Sequence, residues 1–167
     1  MIEKLLSNHQ KNEIVEIIKS QCRLFQEYEI ERDSLFYKPY TNMRQKHSVT
    51  SAILSGFAPD RFQIEGIKVV DLNYGLRDKL VQPELQCEMA LFHISSNGSD
   101  LKGAKILERC KEVNKDIETA PVFFLIIVSA DKSGVLQKID ICLPDDHGRI
   151  IRQERIYETP KLKAITA

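Results

Sequence analysis

The stretch Pro121-Val122-Phe123-Phe124-Leu125-Ile126-Ile127-Val128 carries no polar side chain, and it constrains this chain more than any other feature. Eight residues are too few for a buried helix and far too few to cross a bilayer. The run is rich in β-branched and aromatic residues, which suit a pleated surface. A strand with no alternation is buried on both faces, so the rest of the chain must build layers around it.

The residues before this run predict a crossover. Leu85, Cys87, Met89 and Leu91 alternate with Glu84, Gln86, Glu88, Ala90 and Phe92, which predicts a strand over 84–95. Asn97-Gly98-Ser99-Asp100 ends it and caps a helix from Leu101 to Asn114, whose apolar stripe is Leu101, Ala104, Leu107, Cys110 and Val113. Strand, helix and strand form a β-α-β unit. If its strands are parallel, the crossover is right-handed. After the run, Val135, Ile139, Ile141 and Leu143 mark a strand. Asp145-Asp146-His147-Gly148 marks a turn, and Arg149–Tyr157 the return strand.

Upstream, Ile14, Ile18, Cys22 and Phe25 recur at helical spacing, predicting a helix over Asn8–Glu29. Ser7 caps it, and Gln10 three residues later completes a capping box. Asp33 to Tyr40 is expected to be a loop, because Pro39 disfavours helical geometry at Lys38. A second helix is expected over Met43–Leu54, ending at Gly56, with small residues suited to close packing. Phe62–Ile64 and Ile67–Val70 are expected as strands flanking a bend at Gly66, with a turn at Asn73-Tyr74-Gly75. The expected fold is therefore α+β. Two N-terminal helices precede a mixed five- to six-stranded sheet with one β-α-β crossover helix and a C-terminal hairpin. Helices pack mainly on one sheet face. Residues 1–160 form a single domain, and 161–167 a flexible tail.

Charge and cysteine content narrow the function classes. Lys plus Arg equals Asp plus Glu, 24 each, which gives no excess for phosphate neutralisation. Nucleic-acid binding is not favoured by that balance, whereas weak colloidal repulsion makes self-association or a protein partner the expected association. None of the four cysteines, Cys22, Cys87, Cys110 and Cys142, is in a Cys-x-x-Cys pair, so no zinc or redox spacing exists and all four are read as reduced. The first residues lack the apolar core of a signal peptide, and no stretch is long enough for a membrane span. A cytoplasmic setting without a membrane partner is expected.

Three groups of residues bear on chemistry. Helix, three-strand meander, helix and buried strand is an order that resembles the core of the restriction-endonuclease-like fold. That resemblance implies a Mg²⁺-dependent nuclease with one Asp at a strand end and a Glu-x-Lys on the next strand. Asp71, Glu84 and Glu88 would be its carboxylates. Glu84-Leu85-Gln86 and Glu88-Met89-Ala90 both lack the lysine, so Lys105 on the following helix would replace it. The other reading of Glu84, Gln86 and Glu88 is a solvated strand edge. Tyr37, Tyr40, Asn42, Arg44, Lys46 and His47 form a second group. They would bind nucleotides by stacking and phosphate contact, or else cap a helix and cover the core edge. The third is an interface: Gly66–Gly75 and the closing hairpin both leave strand edges, and unshielded edges invite another chain, or else the mixed charge of Arg149, Arg152, Glu154 and Arg155 on the return strand discourages edge pairing. No phosphate loop, dinucleotide fingerprint or nucleophile elbow occurs in the sequence, and no metal or cofactor is expected outside the nuclease reading.

Asn42-Met43-Arg44-Gln45-Lys46-His47-Ser48, Gln82-Pro83-Glu84-Leu85 and Leu143-Pro144-Asp145-Asp146-His147-Gly148 together resemble a domain family of Gram-positive bacteria and their phages. The resemblance spans about Phe36 to Tyr157. That family has no assigned activity, so it implies no catalytic residue. It implies a bacterial or phage setting, where small single-domain proteins often regulate or inhibit larger complexes. A non-enzymatic interaction protein is accordingly the leading expectation.

Overall fold

In the computed structural model, residues 5–32, 49–57, 63–70, 79–82, 87–94, 104–118 and 121–161 are described. Helix α1 (Asn8–Arg32) and helix α2 (Val49–Ser55) precede strands β1 (Lys68–Val70), β2 (Lys79–Gln82) and β3 (Cys87–Ile94). Helix α3 (Ala104–Val113) follows, then strands β4 (Phe123–Ala130), β5 (Leu136–Pro144) and β6 (Ile150–Glu158). All six strands join one sheet in chain order, β1 to β6. Every neighbouring pair is antiparallel except β3 and β4, which are parallel and joined through α3. The chain is thus α+β with a mixed six-stranded sheet, one β-α-β unit and a closing hairpin, as its periodicities predict.

β4 explains the layering. All eight of its residues are buried, with Phe124, Ile126 and Val128 in one apolar cluster and Phe123, Leu125 and Ile127 in another. The first cluster lies under α1 and α2 and takes in Ile14, Ile18, Cys22, Phe25, Ile53, Phe57, Met89, Ile139 and Ile141. The second lies under α3, with Cys110 buried and Ile106 and Val113 packed beside it. Two helices do share a face, as expected, but α3 covers the other. Fully burying a side chain of Ile or Phe size is worth about 1.5–3 kcal/mol, so leaving either face of β4 wet would be costly.

Local signals set the ends of the elements. The capping box at α1 is formed: Ser7 N donates to Gln10 Oε1 at 2.9 Å, and Gln10 N to Ser7 Oγ at 3.2 Å. The amide of the same Gln10 donates to the carbonyl of Glu65 at 3.0 Å, pinning the bend before β1. That bend is the site of a correction. Ile64 makes an isolated bridge to Ile67 around Gly66 (φ 79°) and Gln63 is in no strand, while Phe62 of the expected strand Phe62–Ile64 lies outside the described residues. The second strand of the meander is instead Lys79–Gln82, which the sequence pattern misses. At the end of α2, a Cβ on buried Gly56 would lie 2.6 Å from Gln21 Cγ, so the two helices touch where a larger residue would have to displace the Gln21 side chain. The expected strand over 84–95 is present over Cys87–Ile94, and 83–86 and 95 lie outside the described residues, as do the loop 33–40, the start of the second helix and all of the tail except Lys161.

Two hairpin turns use the same device. Asp131 Oδ1 accepts from the amides of Ser133 and Val135, both at 2.9 Å, while Gly134 sits at φ 92°. Asp145 Oδ1 accepts from the amides of His147 and Arg149 at 2.9 and 2.8 Å, while Gly148 sits at φ 79°. An Asp-x-x-Gly sequence thus turns the chain at each end of β5, the carboxylate holding two amides that the turn leaves unpaired. Both turns dock on helices. Gln26 of α1 donates to the carbonyl of Gly134 at 2.8 Å, and a Cβ on Gly148 would run into Leu107 Cδ2 of α3.

Candidate functional site

Of the carboxylates the nuclease reading needs, only Glu88 has a described side chain. It lies on β3 and is half-buried, facing α3. Arg109 of α3 reaches it with both Nε, at 2.8 Å, and Nη2, and meets Glu112 through Nη1 at 3.1 Å. Burial alone would lower the Arg109 pKa, but the two carboxylates outweigh it and hold the guanidinium above its ordinary value. Glu88 is therefore tied to a permanent cation, which competes with any metal for its oxygens. Lys105 lies on α3, and its side chain is outside the described residues. So are Asp71 and Glu84, and so is the whole group of Tyr37, Tyr40, Asn42, Arg44 and His47.

Among the described residues, one group has metal-ligating atoms close together: Asp145, Asp146 and His147, within 4.8 Å of one another. Its geometry is that of the β5–β6 turn. Asp145 is already bonded to two backbone amides and, through Oδ2, to Arg149 Nε at 2.7 Å. Burial raises the Asp145 pKa, but these hydrogen bonds prevail and hold it below the usual carboxylate range. His147 Nδ1 lies 2.7 Å from Asp146. His147 is a turn residue, as its setting in the sequence implies.

All four cysteines are free and buried. Burial is the main cause that pushes Cys22 and Cys110 up to about 11 and Cys142 to about 12. Cys87 is raised for the same reason. Thiols held protonated and out of water neither attack nor bind metals.

The surface best built for contact is the outer strand β6. It pairs with β5 along its inner edge, and no described residue pairs with its outer edge. Its two faces are braced differently. On the α1 side, Lys11 Nζ grips both oxygens of Glu154 at 2.8 and 3.0 Å, and Lys19 stands 5.5 Å from the centre of the Tyr157 ring. Lys11 is 7% exposed, an unusual position for a lysine, and its stem fills the gap between helix and strand. On the α3 side, Arg155 Nε donates to buried Asp140 at 3.0 Å. The far end is tied by Thr159, whose amide donates to Gln137 O at 2.8 Å and whose hydroxyl donates to Leu136 O. Ile151 is nonetheless 46% exposed, and Arg152 and Gln153 project into water.

Sequence reasoning missed one residue that organises this end of the sheet. Asn114, just past α3, is 2% exposed. Its amide nitrogen donates to Phe123 O at 2.8 Å and Pro144 O at 2.7 Å, and its oxygen accepts from Phe123 N at 2.7 Å. Helix end, β4 start and β5 end thus share one side chain. The only hint in the sequence is a polar residue at the edge of an apolar helical stripe, which every helix end supplies.

No family model matches this chain, and neither a curated protein nor a solved structure is detectably similar to it. Among the described residues, no helix is long and apolar enough to cross a membrane.

Proposed function

We propose that this chain is a non-enzymatic interaction protein that takes a protein partner along the outer edge of β6, as a regulator or inhibitor in a bacterial or phage setting. The observation that carries this reading is a nine-residue strand that is braced on both faces and whose outer edge pairs with no described residue. A rigid edge offers a row of backbone donors and acceptors without the entropy cost of ordering a loop. Balanced net charge also leaves little long-range repulsion toward a partner. The test is affinity capture from the native cells with the parent chain and with Ile151→Lys, a surface change that blunts the edge. A partner held by the parent and lost by the variant supports the reading. Equal capture by both, or no capture, removes it.

A second reading rests on a separate observation. The antiparallel meander β1-β2-β3, the crossover α3 and the doubly buried β4 follow the element order of the restriction-endonuclease-like core. In that reading Asp71, Glu84 and Glu88 hold Mg²⁺, Lys105 supplies the positive charge near the reacting phosphate, and Glu88 exchanges Arg109 for the metal. Incubation with DNA and RNA plus Mg²⁺ or Mn²⁺ should show cleavage that Asp71→Ala and Glu84→Ala abolish. Cleavage unchanged in either variant removes it.

A further inference from the structure

We infer that the occupant of the β6 edge is a second copy of this chain, joined antiparallel about a two-fold axis at Gln153, so that two six-stranded sheets continue into one. This deepens the interaction reading above and rests on it. The argument is charge register. Arg152 lies opposite Leu143 and Glu154 opposite Ile141 in the β5–β6 ladder, and Leu143 and Ile141 both belong to the cluster beneath α1. Arg152 and Glu154 therefore share a face of the sheet. A two-fold axis through Gln153 sets Arg152 of each copy opposite Glu154 of the other, twice over. Moving the axis to Arg152, Glu154 or Arg155 sets a like charge against itself. Opposite charges directly across a ladder favour pairing and like charges oppose it. The mixed charge of this edge thus rejects neighbouring registers while admitting one.

Two further facts fit the same occupant. Arg152 is exposed and has no ion-pair partner among the described residues, whereas Arg149, Glu154 and Arg155 each have one. Ile151, 46% exposed beside it, would be covered by the added strand. Zero net charge removes the overall repulsion that would hold two copies apart.

Sedimentation equilibrium from micromolar to millimolar concentration tests this on the intact chain. The parent should dimerise, more weakly as salt is added. Arg152→Glu replaces two attractions by two repulsions and should weaken the dimer about tenfold or more, with a thermal melt like the parent's at concentrations where both are monomeric, because Arg152 is exposed. Ile151→Lys should weaken it as well. A parent that stays monomeric throughout overturns the inference, as does a dimer that both variants leave equally tight. A monomeric parent whose captured partner is lost with Ile151→Lys would sink the dimer while leaving the interaction reading standing.

Discussion

Replacing Asn114 by alanine should unfold this chain far more easily than its size suggests. The substitution removes three hydrogen bonds at 2.7–2.8 Å in a site 2% exposed to water. Each buried group left without a partner costs about 1–3 kcal/mol. The amide of Phe123 bears the full cost, and the carbonyls of Phe123 and Pro144 add to it, since Pro144 has no N–H with which to replace the lost donor. Adding the small cavity brings the sum to about 3–5 kcal/mol, a large part of the ~5–15 kcal/mol that holds a domain together. At ~2–4 °C per kcal/mol for a chain of this length, the melting point should fall by about 10 °C or more. With no tryptophan present, urea titration followed by far-UV circular dichroism is the natural assay. Asn114→Asp sharpens the test. It keeps the acceptor for Phe123 N but sets a carboxylate against two carbonyl oxygens. Its folded pKa must therefore rise above the unfolded value of about 4. The penalty is then small below about pH 4 and grows as pH rises toward the folded pKa. An alanine variant within about 1 kcal/mol of the parent, or an aspartate variant no worse at pH 8 than at pH 5, would refute the reasoning.

Three other outcomes follow from the same physics. Gly148→Ala should destabilise by about 1–3 kcal/mol, from a side chain at positive φ driven into Leu107, and Leu107→Ala should restore part of that loss in a denaturant titration. Asp131 and Asp145 are both held below the ordinary value of 3.8, so their hydrogen bonds stabilise above it and are lost as pH falls through the lower folded values. Asp131→Asn with Asp145→Asn should therefore flatten stability against pH below 4 compared with the parent; an unchanged acid limb would contradict this. A thiol reagent at pH 8 should label none of the four cysteines in the folded chain and all four in denaturant, because burial keeps them protonated; fast native labelling would contradict the packing.

What the sequence reveals and conceals follows the range over which each signal acts. The capping box of Ser7 and Gln10, the stripe from Ile14 to Phe25 and the β5–β6 turn are written in neighbouring residues, and all are present. The unbroken run of β4 even contained the answer to the layering, since a strand dry on both sides needs cover on both. Expecting helices mainly on one face gave that too little weight. β2 escaped notice because Lys79-Leu80-Val81-Gln82 is short, with two polar ends, and is a strand only through its neighbours. The turn at Asp131 was equally hidden, although it repeats the Asp-x-x-Gly pattern recognised at Asp145. The candidate site divides the same way. The open edge of β6 was legible as the end of a hairpin. The grip of Lys11 on Glu154 and the three bonds of Asn114 depend on the register of distant segments, which no local pattern encodes.

The Lys11–Glu154 clasp joins residues 143 positions apart. On the ribosome, α1 emerges before the sheet, and β6, which holds Lys11, emerges after the other five strands. The β4-β5-β6 meander closes through two tight turns and can assemble from nearby residues alone, whereas the early helix can meet α2 at once but gains its sheet cover, Phe124, Val128, Ile139 and Ile141, only after β4 and β5 have been made. Newly made molecules therefore pass through an interval in which that stripe lacks its sheet cover, and chaperone contact should concentrate on the segment from Ile14 to Phe25 until synthesis has passed β5.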